Sequence, residues 1–333
     1  MKRHKICKII FAILAVFLCV AFYELIGICI TYKKQPAVSD ATIKETQNIM
    51  SVAGRENTER AVIIEKNSQA LLERVRLIQN AKDEIILSTF AFKSDESGKL
   101  ILGALHDAAD RGVHVRILVD GMESWIDMEG NPYFYGLSSH ENVEIKLYNK
   151  ANPLKPWKTM GRMHDKYLIA DGKIYILGGR NTYNYFLGDF PGHKNFDRDV
   201  LVVCDEPQKD NSVNQLWNYF ETIWEQEDCR YFHNSKKLAD RQSVKKAVLE
   251  LQEGYQQYFE VNKEKICDKD YADETFETEK ITLLSNPIHT QAKEPVVWYQ
   301  LGELMKNAKE RVKIHTPYII CNDMMYNTWE EIA

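Results

Sequence analysis

Beyond residue 65 the apolar positions switch between a helical and a strand period. Leu71, Leu72, Val75 and Ile78 recur at helical spacing within Ser68–Gln79, and Glu84–Phe92 reads as a buried strand. A second helix is expected over Gly98–Ala109, a strand over Val113–Val119 closing at Asp120-Gly121, and a short strand over Val143–Tyr148. Strands alternating with helices call for a parallel or mixed sheet covered on both faces, so the fold class is α/β. Farther on, Arg162–Ala170 and Lys173–Leu177 read as two strands joined by Asp171-Gly172, a dipeptide suited to a tight hairpin turn. A helix is expected to begin at Thr182 or Tyr183. Asn214–Gln226, with Trp217, Phe220 and Trp224, and Arg241–Tyr258 read as amphipathic helices whose aromatic spacing is that of core packing.

The N-terminus has a different pattern. Lys2, Arg3, Lys5 and Lys8 precede an apolar run from Ile9 to Tyr32 broken only by Glu24, and Lys33-Lys34 follow. At about 1.5 Å per residue such a helix crosses a bilayer core of about 30 Å. No small-x-small cleavage site follows it, which favours an uncleaved anchor over a signal peptide. The basic residues ahead of it place the N-terminus in the cytoplasm and the rest of the chain on the outer side of the membrane.

Six of the 43 basic residues and one of the 48 acidic ones lie within residues 1–34, so the remainder carries a net charge of −10. That is a poor match to nucleic acid, which is not an expected partner. Cys7, Cys19 and Cys29 belong to the apolar run, and Cys204, Cys229, Cys267 and Cys321 are widely scattered. No pair has zinc-ligand spacing, and no metal or other cofactor is expected.

An internal echo sets the domain plan. Residues 80–89 (NAKDEIILST) return as residues 307–316 (NAKERVKIHT), a helix end followed by an apolar strand in each copy. The second copy reads as the start of a second lobe like the first. The expected organisation is a transmembrane anchor at 1–34, a linker at 35–64, a first lobe at 65–205, a helical connecting region at 206–280, and the beginning of a truncated second lobe at 281–333.

The candidate chemistry lies around the hairpin. Positions two apart on a strand share a face, so His164 and Lys166 should project side by side while Tyr167 and Ile169 pack behind. An imidazole near neutral pKa and a fixed cation are what phosphodiester cleavage needs, the first as nucleophile or proton carrier and the second against charge growing on phosphoryl oxygens. Gly178-Gly179-Arg180-Asn181 follows; its glycines allow close approach of backbone to a ligand, and Asn181 could donate to an anion or simply cap the next helix. Upstream, Lys150, Lys155, Lys158 and Arg162 surround Pro153, Pro156 and Trp157 in a basic loop suited to anionic headgroups; Lys158 and Arg162 are the headgroup candidates.

Together these segments resemble the phospholipase D superfamily, whose signature is H-x-K-x4-D followed by G-[GS]-x-N: here His164, Lys166 and Asp171, then Gly178, Gly179 and Asn181. Residues 162–166, 176–181 and 196–200, and Thr316-Pro317-Tyr318-Ile319, are similar to bacterial cardiolipin synthases in particular. The resemblance spans roughly residues 65–333. It implies a phospholipase D-like sandwich, a mixed sheet flanked by helices, and a metal-free two-step transfer through a phosphohistidine. His164 would attack phosphorus, and Lys166 and Asn181 would hold the non-bridging oxygens. Asp197, or alternatively Asp199, would orient the histidine, and Asp171 would fix the turn. Gly179 replaces a serine common in relatives. The sequence contains one H-x-K-x4-D where the superfamily pairs two, so the second catalytic half would come from a C-terminal lobe or from another chain.

The leading reading is a phosphatidyltransferase that makes cardiolipin from phosphatidylglycerol and a second phospholipid. The alternatives are a hydrolase or nuclease of the same superfamily, and an inactive fragment or one-lobe scaffold.

Overall fold

A computed structural model describes residues 2–51, 58–267, 270–316 and 318–333, and the chain falls into two compact units. The smaller takes in residues 1–55, 152–161 and 282–333. It holds helices α1 (Lys2–Tyr32), α2 (Asp40–Ser51), α10 (Val296–Lys306) and α11 (Asp323–Ile332). Within α1, Lys5–Tyr32 is long and apolar enough to cross a membrane and is a candidate membrane span. The N-terminus of α2 is tied to Glu294, whose Oε1 accepts from Ser39 N at 2.8 Å and from Thr42 Oγ1 at 2.6 Å.

The larger unit, residues 56–151 and 162–281, is built on one nine-stranded sheet. Its elements are β1 (Arg60–Ile64), α3 (Asn67–Asn80), β2 (Glu84–Thr89), α4 (Glu96–Asp110), β3 (His114–Asp120), α5 (Glu123–Asp127), α6 (Pro132–Ser138) and β4 (Val143–Tyr148). They continue as β5 (Tyr167–Ala170), β6 (Ile174–Gly178), β7 (Asp199–Val203), α7 (Ser212–Trp224), β8 (Cys229–Tyr231), α8 (Gln242–Cys267), α9 (Tyr271–Glu274) and β9 (Phe276–Glu277). The strand order is β8-β4-β3-β2-β5-β6-β7-β1-β9. β2, β3 and β4 are parallel and the other pairings antiparallel, which makes the sheet mixed.

Alternation along the strands divides the side chains between two helical layers. Ile85, Leu87, Val115, Ile117, Leu168, Ile176 and Leu201 join the main core, to which α3, α4, α6 and α8 contribute Val75, Leu105, Phe134 and Tyr255. The opposite face carries Arg116, whose guanidinium pairs with Glu84 at 2.8 Å and with Glu221 of α7 at 2.6 Å, beneath the Phe220 ring. The fold is therefore an α/β sandwich with helices on both faces of a mixed sheet.

Several sequence expectations shift. The segment 35–64 is not only a linker: it contains α2, and β1 pairs with both β7 and β9; residues 52–57 lie outside the described residues. Residues 206–280 do not merely connect, because α8 packs against α3, α4 and α6 and β8 extends the sheet. The helix expected at Thr182 is absent. Thr182 instead forms a bridge with Phe92, its N–H donating to Ala91 O at 3.1 Å and its carbonyl accepting from Lys93 N at 3.2 Å, and only one turn closes after Tyr183. The echo holds at the helix ends, since α3 stops at Asn80 and α10 at Lys306. Its strand does not form: residues 311–316 have no ladder partner among the described residues, and Pro317 lies outside them.

Candidate active site

The strand register gathers the candidate residues at one end of the sheet. β5 is antiparallel to β2 with Ser88 opposite Tyr167, Tyr167 faces Leu177 on β6, and Gly178 faces Asp199 on β7. The carboxyl ends of β2, β3 and β6 and the amino ends of β5 and β7 thus meet, the place where open α/β sheets offer a crevice to ligands. The strand expected from Arg162 begins only at Tyr167, because beyond Thr89 β2 has turned away and leaves residues 162–166 without a ladder. Burial there does not follow a strict period of two. Met163 is fully buried, His164 is exposed, Asp165 accepts from Tyr219 Oη at 2.8 Å, and Lys166 is buried.

His164 and Lys166 come together on one aromatic ring. The imidazole stands edge-on to Phe90 with ring centroids 4.6 Å apart, and the Lys166 ammonium lies 5.4 Å from the centre of the same ring. Lys166 Nζ also donates to the His164 carbonyl at 2.5 Å. Although the residue is exposed, partial desolvation of the imidazole lowers the His164 pKa, and the positive charge of Lys166 lowers it further, both favouring the neutral form. Burial also brings the Lys166 pKa down to about 8, against the opposing pull of Asp165 and Asp197. A neutral imidazole beside a cation poised slightly above neutrality suits nucleophilic attack on a phosphodiester.

The loop after β6 packs against this pair from the side. Asn181 is buried, and its Oδ1 accepts from Ala91 N at 3.2 Å, the backbone next to Phe90. Since no helix follows, Asn181 is not an N-cap; the side-chain amide Nδ2 makes no hydrogen bond among the described residues. Gly179 leaves room for the Asp197 carboxylate, since a Cβ there would lie 1.9 Å from Asp197 Oδ2 and the side chain would have to move. At Gly178 the obstacle is backbone as well, with Arg198 O at 2.7 Å and Asp199 Cα at 2.8 Å from an added Cβ.

Asp197 and Asp199 occupy different environments. Asp199, 1% exposed, lies between the buried guanidinium groups of Arg74 at 2.9 Å and Arg180 at 3.3 Å. Asp197 stands over Gly179, where its charge acts on Lys166. No hydrogen bond joins Asp197 to His164 among the described residues.

Asp171 is at the far end of β5. Its φ of 52° and that of 61° at Gly172 make the left-handed turn that the dipeptide suggests. Its carboxylate accepts from Lys82 N at 2.9 Å, Asp83 N at 2.8 Å and Glu84 N at 3.0 Å, holding the entry into β2.

The two headgroup candidates have different settings. Lys158 lies on the 152–161 segment, in the other unit. Arg162 turns inward: it pairs with the fully buried Asp120 at 3.1 Å and donates to the carbonyls of Tyr148, at 3.2 Å, and Asn149. Without Arg162 the Asp120 carboxylate would be a buried charge lacking its counter-charge.

Sequence reasoning missed three participants. Phe90 could have been suspected as an aromatic residue at the end of a buried strand. Arg180, the variable position of the glycine motif, donates from Nε to Asn67 Oδ1 at 3.1 Å, from Nη1 to Ile64 O at 3.2 Å, and from Nη2 to Glu65 O at 2.7 Å and to Asp197 O, and its Nη1 forms the ion pair with Asp199. It thereby ties β1 and α3 to the 197–199 segment. Asp120 holds the approach to His164, its Oδ2 accepting from Met163 N at 3.1 Å. Neither of these last two had a local sequence signal.

Residues 75–224 match the family described as cardiolipin synthase, PLD-like domain. An uncharacterized protein of Helicobacter pylori is 27% identical over 293 residues, covering 79% of this chain and 55% of that protein. Cardiolipin synthase C of Escherichia coli is 29% identical over 154 residues, covering 42% of this chain and 31% of that one. The chain thus spans about half or less of the length of these curated relatives. Among solved structures, NucT from Helicobacter pylori aligns with a TM-score of 0.41 at 17% identity, covering 52% of this chain and 99% of its own. With the H-x-K-x4-D residues placed as described, residues 75–224 form a domain of the phospholipase D superfamily, similar to that of bacterial cardiolipin synthases.

Proposed function

We propose that the protein is a membrane-anchored phosphatidyltransferase of the cardiolipin synthase type, acting on phosphatidylglycerol and a second phospholipid through a phosphohistidine on His164. The observation that carries this reading is the shared seat of His164 and Lys166 on Phe90, which holds a neutral imidazole next to a cation.

In the first step the imidazole attacks phosphorus, the P–O bond to the leaving alcohol breaks, and the phosphatidyl group stays on His164. Lys166 and the free Asn181 amide receive the non-bridging oxygens, and their cationic and dipolar fields offset the charge that develops there. Asp197 holds the charge of Lys166 near neutrality, and through Gly179 it shapes the loop that carries Asn181. Asp171 contributes to the fold and not to the chemistry. In the second step the hydroxyl of a phospholipid attacks the phosphohistidine and frees the imidazole. Protonation of the leaving alcohol and deprotonation of the acceptor call for a second histidine. That group would come from a second H-x-K-x4-D half-site, carried by a further lobe or by another chain.

The apolar stretch Lys5–Tyr32 supports a single-pass anchor in a bacterial cell membrane, with the basic residues before it inside and the catalytic unit outside. The test is to supply labelled phosphatidylglycerol to membranes carrying the protein, expressed from its complete reading frame, or its His164→Ala variant. Cardiolipin formation is expected only with the first; equal formation in both would overturn the proposal, and release of phosphatidic acid alone would make the acceptor water.

A further inference from the structure

We propose that Trp125 and Ile126 form an interfacial foot that seats the candidate active site on a phospholipid bilayer, with both side chains at the level of the headgroups. The proposal rests on the membrane-anchored reading given above. The two residues are consecutive on α5, the single turn after β3, and each is 67% exposed. Scattered exposed apolar side chains are ordinary. An adjacent pair on a firmly held loop needs another account.

The loop is held from below. Ser124 and Met128 are buried, and the Ser124 carbonyl accepts from Met128 N at 2.8 Å and from Glu129 N at 3.2 Å. Asn131 Nδ2 donates to Asp127 O at 3.2 Å. Anchored at both ends, the turn keeps Trp125 and Ile126 pointing away from the core.

The mount of this loop is also the mount of the nucleophile. Asp120 Oδ1 accepts from Met122 N at 2.9 Å at the start of the turn, while its Oδ2 accepts from Met163 N, one residue before His164. One buried carboxylate therefore couples the position of the pair to that of the imidazole. A depth chosen by Trp125 becomes a depth for His164.

The occupant follows from the chemistry. The unit is tethered to a chain segment able to cross a bilayer, so a bilayer surface is the partner it meets at high local concentration. An indole beside a branched aliphatic chain suits the headgroup boundary, where one edge stays wet and the rest is buried. Residues 121–129 contain Glu123, Asp127 and Glu129 and no Lys or Arg, so attachment there rests on burial of the indole and the aliphatic chain and not on charge attraction.

The full chain reconstituted in vesicles containing brominated phosphatidylcholine tests this. The fluorescence that Trp125→Phe removes is expected to be quenched at least about twofold by bromine at shallow acyl positions, and to stay quenched at about 0.5 M salt because the contact is not electrostatic. If that fluorescence is instead quenched by aqueous acrylamide and untouched by bromine, the foot is overturned, and a protein partner or open solvent takes its place. In a second arm, Trp125→Ser with Ile126→Ser should lower turnover of bilayer phospholipid roughly tenfold, with turnover of a water-soluble phosphodiester retained. Equal losses on both substrates would also overturn it. If the unaltered protein turns over neither substrate, the phosphodiesterase reading fails, and the quenching result still decides the foot.

Discussion

The ring of Phe90 stands edge-on to His164 at 4.6 Å and beneath the ammonium of Lys166 at 5.4 Å, so one side chain sets the position of two. Phe90→Ala should free both, with a fall in turnover of at least about tenfold, since small misplacements of reacting groups are costly. It should also raise the His164 pKa, because the ring supplies part of the burial that lowers it. Titration of the His164 ring protons by NMR checks the second effect without reference to substrate.

The two pKa shifts define a pH window. His164 works as the neutral nucleophile, so the rate should rise as pH passes its lowered pKa, below the ordinary histidine value. Lys166 works as the cation, so the rate should fall as pH passes about 8. Lys166→Arg keeps its charge at every accessible pH and should abolish the alkaline limb, at a reduced rate. A pH–rate profile on a water-soluble phosphodiester measures both limbs.

Asp197 and Asp199 should separate by phenotype. Asp199→Ala leaves Arg74 and Arg180 buried without their shared counter-charge and is expected to cost about 3–5 kcal/mol, read from urea unfolding. Asp197→Ala should leave stability nearly unchanged and lower activity, with the Lys166 pKa shifting further down because a carboxylate that raises it is gone.

Asp171→Ala removes the acceptor of three backbone N–H groups and should destabilise the unit by about 1–3 kcal/mol, with faster hydrogen exchange at residues 82–84. Asp171→Asn keeps an acceptor and tolerates the positive φ, so it should cost less. Neither change should alter turnover per folded molecule.

The parts of this site that were legible in the sequence are those set by local rules. His164 and Lys166, two positions apart, both reach the Phe90 ring, although their burial differs and no ladder runs through 162–166, and Asp171-Gly172 adopts the left-handed turn that Asp and Gly favour. What escaped notice depends on register. Phe90 reaches the site because Ser88 lies opposite Tyr167, and Asp199 meets Arg74 because β7 follows β6 in the sheet. Arg162 looked like a surface cation because its partner, Asp120, is 42 positions away along the chain. β1 was absorbed into a linker because its five residues carry no periodic signal of their own. The strand expected over 312–316 shows the same rule in reverse, since an apolar run becomes a strand only when neighbours offer their N–H and C=O groups.

The central claim is that His164 carries the phosphatidyl group. Membranes containing the protein expressed from its complete reading frame would be incubated briefly with phosphatidylglycerol, quenched in alkali and analysed by peptide mass spectrometry. A phosphorylated or phosphatidylated imidazole at His164, lost in His164→Ala and accumulating when acceptor lipid is diluted, is the expected result. Undiminished cardiolipin formation by His164→Ala, or an adduct confined to another residue, would contradict it.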